Sequence, residues 1–168
     1  MTTLPSVSEL LSELASQING SDLVDPVFVG IHTGGVWVAQ ALMPMCEVDA
    51  PLGTLDISFY RDDFSRVGLN PKVRSSQLPI DIEDRELVLV DDVLHTGRTV
   101  RAALNEIFSF GRPSRVTLAV LVERPGRELP VTANFSALSL PIGADEHIVL
   151  SKQKDSLSLA VVNAKIKS

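Results

Sequence analysis

Apolar residues recur with a helical period near the start of the chain. The apolar positions are Val7, Leu10, Leu11, Leu14, Ala15 and Ile18. Ser6 and Glu9 have the spacing of a capping box, and Asn19-Gly20 is a typical stop signal. The pattern predicts an N-terminal amphipathic helix that packs through its apolar face.

Uninterrupted apolar runs farther along the chain predict buried strands. Residues 27–31 follow Pro26, residues 87–90 precede two carboxylates, and residues 116–122 form a third run. Runs without polar alternation are typical of parallel strands that are covered on both faces. Residues 51–60 alternate instead, which predicts a strand with one face made of Leu55, Ile57 and Phe59.

Helical patterns follow two of these strands directly. Residues 36–43 are apolar except for Gln40 and are followed by Pro44, which predicts a short helix that stops there. Beyond residue 97, one helical face would be formed by Val100, Ala103, Leu104, Ile107 and Phe108, and Gly111 and Pro113 would end the helix. This alternation predicts an α/β fold in one domain, residues 1–168, with a mainly parallel central sheet flanked by helices.

The last third of the chain is less regular. Residues 123–143 are loop-rich, and the apolar runs 147–150 and 157–162 predict a terminal strand pair. Residues 61–78 lack periodicity and carry Arg61, Arg66, Lys72 and Arg74 beside Asp62 and Asp63. A loop of that length is interpreted as a mobile lid, with a solvated surface hairpin as the alternative.

Composition narrows the classes of protein. The chain has 168 residues, of which 45% are hydrophobic and 21% are charged, as in a globular protein. Its only cysteine, Cys46, excludes an internal disulfide and suits a reducing cytoplasm. No signal peptide or membrane span is recognisable, so we expect no membrane partner. A net charge of −6 disfavours broad nucleic-acid binding, although a local basic patch is compatible with it.

The stretch from Leu87 to Phe110 carries the candidate chemistry. Asp91 and Asp92 end the apolar run, and a turn with Thr96, Gly97 and Thr99 leads into the helix. Hydroxyl groups and a glycine before a helix N-terminus are typical of a phosphate site. The two carboxylates would repel a phosphate but suit sugar hydroxyls and hydrated Mg²⁺. The stretch therefore predicts a site for a phosphorylated sugar, and an ordinary turn with an aspartate helix cap is the alternative.

Residues 88–101 resemble the phosphoribosyl-pyrophosphate (PRPP) motif of type I phosphoribosyltransferases. That substrate carries phosphate groups at both ends of its ribose, and a second strand-loop-helix lies at His32, Thr33, Gly34 and Gly35. Because parallel strands end at one edge of a sheet, we expect the two loops to meet there. The alternative for the second loop is a turn that binds nothing, and His32 is interpreted as structural.

The resemblance narrows to the PyrR family, pyrimidine-operon regulators that also have uracil phosphoribosyltransferase activity. It rests on residues 78–101 and on the sequences LDISFYRDD (55–63), GRPSR (111–115) and LAVLVERPGRELP (118–130). The family implies a type I phosphoribosyltransferase fold with a flexible lid and a base-binding hood, here residues 123–168 with parts of the termini. It also implies that uracil and PRPP give UMP and diphosphate with Mg²⁺, and that the protein is a homodimer or homotetramer.

The family pattern also implies residue roles. Asp91 and Asp92 would hold the ribose hydroxyls, directly or through Mg²⁺, and with Arg61 of the lid they are the catalytic candidates. The PRPP loop would comprise Asp91, Asp92, Val93, Leu94, His95, Thr96, Gly97, Arg98 and Thr99, the last four cradling the 5′-phosphate. Thr33, Gly34 and Gly35 match the diphosphate loop. Base binding, largely by backbone groups, would involve Val122, Glu123, Arg124 and Arg127.

Departures from the family pattern leave three hypotheses. Gly34 replaces an arginine that is usual in the family, and His95 stands where the family usually has an aromatic residue. Purine-using relatives have an aspartate at the position of His95, and its absence favours a pyrimidine. The N-terminal helix has no Lys or Arg, which disfavours binding of an mRNA leader. The first hypothesis is an active uracil phosphoribosyltransferase. The second is a UMP- or PRPP-sensing, RNA-binding regulator with weak or no catalysis, and the third is a type I enzyme for orotate or a purine.

Overall fold

The computed structural model describes residues 3–58 and 76–164. Arg61 and nearly all of the predicted lid lie outside these residues. The helices are α1 (Val7–Asn19), α2 (Gly34–Met45) and α3 (Arg98–Phe110). The strands are β1 (Val27–Ile31), β2 (Gly53–Leu55), β3 (Glu86–Leu94), β4 (Arg115–Glu123), β5 (Phe135–Ser139), β6 (Glu146–Gln153) and β7 (Ser156–Asn163).

Five strands form one parallel sheet in the order β2-β1-β3-β4-β5. In the centre of the sheet Gly30 is paired with Val90, and Val90 is paired with Ala119. Strands β6 and β7 form a separate antiparallel hairpin. The predicted parallel α/β fold and the terminal strand pair are confirmed.

Alternate residues of the central strand face two different hydrophobic layers. Val88 and Val90 pack with α1, α2 and the β6–β7 hairpin, whereas Leu87 and Leu89 pack with α3. Side chains alternate across a strand, so a continuous apolar run serves both layers at once. The helices therefore cover both faces of the sheet and leave the carboxyl ends of its strands for a site.

The amphipathic helix at the N-terminus is confirmed in detail. Ser6 caps it, its hydroxyl accepting the Glu9 N–H at 3.2 Å, and the Glu9 carboxylate accepts the Ser6 N–H at 2.8 Å. All six residues of the predicted apolar face are buried. The structure also confirms β1 at the predicted residues.

Several predicted boundaries were wrong. Helix α2 begins at Gly34 and continues past Pro44, which lies in its last turn. Strand β2 is only three residues long and lies at an edge of the sheet. Strand β5, in the segment interpreted as loops, was missed, and it completes the opposite edge by pairing with β4.

The predicted apolar face of α3 was also partly wrong. Val100, Ala103 and Ile107 are buried as expected, whereas Phe108 is 55% exposed and Ala102 is buried in its place. Within the described ranges, no helix is long and apolar enough to cross a membrane.

Candidate active site

Two helices leave adjacent central strands in opposite directions. Strands β1 and β3 are neighbours, and the helices that follow them, α2 and α3, cover opposite faces of the sheet. Such a divergence opens a crevice at the carboxyl ends of the strands, where α/β proteins bind ligands. The loop at Thr33 and the loop at Thr96 lie at this point, so the expected convergence of the two loops is confirmed.

Two glycines allow the loops to come into contact. A β-carbon at Gly34 would lie 2.6 Å from Cγ of Asp92. One at Gly35 would lie 3.0 Å from the α-carbon of Asp91 and closer still to the Val90 carbonyl oxygen. Real β-carbons do not approach other atoms so closely. A side chain at position 35 would meet backbone atoms and force the loops apart, whereas one at position 34 would have to displace the Asp92 carboxylate. The start of α2 is therefore packed directly against the acidic pair.

The acidic pair lies within a strand rather than in a turn. Strand β3 continues to Leu94, so the prediction that it stops before Asp91 was wrong, and its pairing with β4 extends to Glu123. Neighbouring side chains in a strand point to opposite faces, so Asp91 and Asp92 diverge. Asp91 is buried, whereas Asp92 is half-buried and faces α2 at Gly34.

Backbone groups fix the orientation of both carboxylates. Oδ1 of Asp91 accepts the Asp92 N–H at 2.9 Å, and Oδ1 of Asp92 accepts the Val93 N–H at 2.9 Å. The second oxygen of Asp92, Oδ2, is the atom nearest to the position of a Gly34 β-carbon. Asp92 thus presents a carboxylate oxygen toward the start of α2, between the two loops.

The N-termini of α2 and α3 differ from that of α1. The capping box at Ser6 and Glu9 satisfies donors at the start of α1. Thr33 and Gly97, the residues that precede α2 and α3, provide no side-chain cap, and neither first turn contains an acidic residue. At α3 the Thr96 hydroxyl oxygen accepts the Arg98 N–H at 3.2 Å, which leaves the later N–H groups of that turn for a ligand. Uncapped N–H groups and the positive end of the helix dipole favour anions. Two helix N-termini whose dipoles favour anions therefore lie at one crevice.

Residues 124–131 pack along the loop between β3 and α3. The N–H groups of Glu128 and Leu129 donate to the Thr96 carbonyl at 2.9 and 3.1 Å. Gly97 has φ +93° and lies against the Val131 side chain, and that left-handed conformation explains why a glycine precedes α3. Arg98 and Glu128 form an exposed ion pair at 3.4 Å.

The predicted base-binding residues connect this region to the β6–β7 hairpin. Val122 is buried at the end of β4. Arg124 is only 6% exposed, and its Nη1 and Nη2 donate to the carbonyls of Glu146 at 2.6 Å and Gly143 at 3.1 Å. The Arg124 N–H donates to the Leu94 carbonyl at 3.0 Å. The Arg124 guanidinium thus joins the end of β4 to the hairpin.

His95 is an exposed residue in a mostly positive environment. Partial burial, followed by the charge of Arg124, lowers the pKa of His95 below its usual value of 6.5, and the Glu128 carboxylate opposes this change. A β-carbon at Gly126 would lie 2.9 Å from Nε2 of His95, so residue 126 must be small. At neutral pH this imidazole is therefore largely uncharged.

The carboxylate at the crevice suits a metal ion that is bound jointly by the protein and by a phosphate-containing ligand. Across residues 3–58 and 76–164, no three His, Cys, Asp or Glu side chains gather closely enough to form a metal cage. Asp92 faces the crevice with one carboxylate oxygen left by its backbone hydrogen bond. Mg²⁺ commonly takes one or two carboxylates and completes its shell with water and phosphate oxygens.

Most of the predicted site residues lie together in the structure. The PRPP loop, the Thr33–Gly35 loop and the base-binding segment all lie at the same edge of the sheet. Sequence reasoning missed Glu128, which bonds to Thr96 and pairs with Arg98, and Gly126, which contacts His95. Because these partners are about thirty residues apart along the chain, no local pattern indicates them.

Comparison with known proteins agrees with this architecture. Residues 2–151 match the phosphoribosyl transferase domain family. A hypoxanthine phosphoribosyltransferase of Staphylococcus aureus superposes with a TM-score of 0.71 at 19% identity, over 96% of this chain and 89% of that one. One from Trypanosoma cruzi gives a TM-score of 0.66 at 17% identity, over 95% of each chain. At such low identity these structures establish the shared fold alone. Fold and sequence together define a phosphoribosyltransferase domain.

The sequence relatives narrow the family. A protein of Pseudomonas syringae pv. syringae (strain B728a), named bifunctional protein PyrR, is 54% identical over 153 residues, which are 89% of this chain and 90% of the relative. A protein of Pseudomonas aeruginosa (strain LESB58) with the same name is 51% identical over 152 residues, or 88% of this chain and 89% of the relative. The chain belongs to the PyrR family of phosphoribosyltransferases, as its sequence motifs predicted.

Proposed function

We propose that the protein transfers the phosphoribosyl group of PRPP to uracil, giving UMP and diphosphate. The observation that carries the proposal is the convergence of two helix N-termini, neither with an acidic residue in its first turn, with Asp92 between them. PRPP has a phosphate and a diphosphate on opposite sides of a ribose. Two anion sites on either side of a carboxylate that can accept hydrogen bonds from hydroxyls match that arrangement of charges.

The two phosphate groups would occupy different helix starts. In this assignment α3 and the residues Thr96–Thr99 bind the 5′-phosphate, and α2 with Thr33 and Gly34 binds the diphosphate. Asp92 accepts hydrogen bonds from ribose hydroxyls, while the buried Asp91 orients the strand end through the Asp92 N–H. Fixing both ends of the ribose aligns the anomeric carbon with the base, and positioning of this kind accounts for much of the rate of such a transfer.

Charge stabilisation would supply the rest of the catalytic effect. The ribose becomes oxocarbenium-like as the bond to diphosphate breaks and the base nitrogen bonds to the anomeric carbon. The fixed dipole of α2 favours the negative charge that develops on the diphosphate. Mg²⁺, held by Asp92 and the substrate oxygens, would add a second positive charge there when bound. Arg61 stays a prediction, since it lies outside the described residues.

The choice of a pyrimidine rests on the base-binding segment. Purine-using relatives of the superfamily carry an aspartate where His95 stands, so the partner of a purine ring is missing. Gly126 lies against the His95 ring, so this backbone segment is close to the proposed base site, and its carbonyl groups would accept a hydrogen bond from an imide N–H such as that of uracil. Uracil presents alternating carbonyl and N–H groups, which backbone atoms recognise without a dedicated side chain.

Turnover by the purified protein tests this proposal. With Mg²⁺ and PRPP, we expect conversion of uracil to UMP and little use of orotate, hypoxanthine or guanine. Product formation is followed by separating nucleotides from bases. If uracil gives no UMP above the rate without enzyme, the proposal is wrong; preferential use of orotate or a purine would support the third hypothesis instead.

A regulatory role is the second candidate, because the relatives are named bifunctional proteins. Binding of the protein's own pyrimidine-operon leader RNA would make it a UMP- or PRPP-sensing attenuator. The exposed face of α1 opposes such binding, since it carries Glu9 and Glu13 and no cation. A gel-shift assay with and without UMP separates the alternatives: tight, salt-sensitive, UMP-dependent binding would establish regulation.

A further inference from the structure

Every carbonyl group of the loop from Leu94 to Gly97 already has a hydrogen-bond partner. Gly97 accepts from Arg101 within α3 at 3.0 Å. The other three acceptors bond to residues 124–129: Leu94 to the Arg124 N–H, Thr96 to the N–H groups of Glu128 and Leu129, and His95 to the Arg127 guanidinium. The loop is therefore held against one segment of chain.

These hydrogen bonds determine where the N–H groups of the loop point. In a trans peptide the carbonyl and the next N–H point in opposite directions. Because the His95 and Thr96 carbonyls face residues 124–129, the N–H groups of Thr96 and Gly97 point away from that segment. Neither N–H has an acceptor among the described residues. Both are donors to an anion on the far side of the loop.

Among the hydrogen bonds from residues 124–129 to the loop carbonyls, the one from Arg127 is made by a side chain. Its Nη1 donates to the His95 carbonyl, and its Nη2 lies 3.6 Å from Oε1 of Glu123. Its side chain is only 28% exposed, and that of Glu123 is 26% exposed. Glu123 is in turn paired with Leu94 across β3 and β4. Arg127 therefore connects the loop to a fixed point on the sheet.

We infer that Arg127 is a positioning residue that, anchored by Glu123, orients the Thr96 N–H toward a bound phosphate. The inference rests on the proposed phosphate-binding role of this loop. The peptide between His95 and Thr96 has no other hydrogen bond to its carbonyl in the described part of the chain. Without Arg127 this peptide can rotate, and the phosphate site loses a preorganised donor.

Removing the Glu123 carboxylate distinguishes the positioning role of Arg127 from a purely electrostatic effect of its charge. Removing Arg127 weakens phosphate binding under either explanation, because a nearby cation is lost. Removing the Glu123 carboxylate takes away a negative charge, so simple electrostatics predicts tighter phosphate binding. The positioning role predicts weaker binding, because Arg127 loses the anchor that holds it on His95. The sign of the Glu123 effect is therefore decisive.

The test measures binding of ribose 5-phosphate, which contains the 5′-phosphate but neither diphosphate nor base. Isothermal titration calorimetry would compare the wild type with Arg127→Met, Arg127→Lys and Glu123→Met. Arg112→Met is the matched control, since Arg112 is exposed beyond the opposite end of α3. Melting temperatures identify variants that fail to fold; Arg127→Lys and Glu123→Met still test the inference if Arg127→Met is one of them.

We expect the dissociation constant to rise about tenfold in Arg127→Met, the usual effect of losing one charge-assisted hydrogen bond. It should rise less in Arg127→Lys and Glu123→Met, and stay unchanged in Arg112→Met. Tighter binding by Glu123→Met, or wild-type binding by Arg127→Lys, would overturn the inference. Because the probe contains no base, a protein that binds it without converting uracil would refute the proposed activity and leave this result intact.

Discussion

Gly34, the first residue of α2, lies directly against the carboxylate of Asp92. The space that a side chain at position 34 would occupy is filled by Oδ2 and Cγ of Asp92. Because residue 34 has no side chain, the Asp92 carboxylate can lie directly at the helix start. A carboxylate and a helix N-terminus attract each other, so this contact also holds Asp92 between the two proposed phosphate sites.

The Gly34→Ala variant should bind PRPP about tenfold more weakly, a loss of roughly 1.4 kcal/mol. Its β-carbon would displace the Asp92 carboxylate from the α2 N-terminus. The single tryptophan, Trp37, lies in the first turn of α2, so its fluorescence can report binding. Gly143→Ala is the control, because a β-carbon there meets only Glu146 Oε2, at 3.4 Å. Wild-type affinity in Gly34→Ala would show that Asp92 moves aside freely.

The Gly35→Ala variant should affect stability rather than binding alone. A β-carbon at position 35 meets backbone atoms of Val90 and Asp91, which cannot rotate away as a side chain can. Overpacking of this kind costs about 1–3 kcal/mol of unfolding free energy. Urea denaturation measures the change, again with Gly143→Ala for comparison. Unchanged stability would mean that the two loops separate without cost.

The Asp92→Asn variant should lose turnover while remaining folded. The substitution preserves shape but removes the charge that would hold the ribose hydroxyls and Mg²⁺, and we expect kcat to fall by about two orders of magnitude. Asp92 is half-buried, so the melting temperature should change little. Asp49→Asn, at an exposed aspartate, is the matched control. Unchanged kinetics in Asp92→Asn would remove its assignment to the ribose.

The titration of His95 tests the electrostatics of the base-binding segment. Partial burial and Arg124 lower its pKa, so NMR titration of its ring protons should give a value below 6.5. Glu128→Gln should lower that pKa further, because the Glu128 carboxylate favours the charged ring. A wild-type value at or above 6.5 would contradict this environment.

His95 also has a predictable effect on stability. Since the folded protein disfavours the imidazolium, protons bind more readily to the unfolded chain. The stability that depends on the neutral ring is therefore fully present above pH 6.5, and it is lost as the pH falls from 6.5 through the lower pKa of the folded protein. Replacing His95 by Gln should remove this part of the pH dependence, which thermal melts between pH 5 and 8 would detect.

The capping box of α1 gives a prediction that is independent of the site. Ser6→Ala removes the hydroxyl that accepts the Glu9 N–H, and we expect a loss of about 1 kcal/mol in unfolding free energy. Turnover and PRPP binding should be unaffected. Ser8→Ala, at an exposed position of the same helix, is the control. Equal stability of the two variants would show that the cap contributes nothing measurable.

Residues that are close together in the sequence determined one helix, three strands and the PRPP motif. Helix α1 follows from a capping box and a 3.6-residue period, and β1, β3 and β4 follow from apolar runs that serve two hydrophobic layers at once. Each of these patterns depends on neighbours within about ten residues. The PRPP motif is local in the same way, so the family and the class of ligand could be predicted from it.

Only the tertiary structure decided how distant residues meet. Strand β3 continues through Asp91 and Asp92 because β4 offers it backbone partners as far as Glu123, and this pairing makes the two carboxylates diverge. Strand β5, with its weak local pattern, forms because β4 presents an open edge. The contact of Gly34 with Asp92 and that of Arg127 with His95 join residues more than thirty positions apart. The sequence specifies which groups are present, but packing of the whole sheet fixes their distances and orientations.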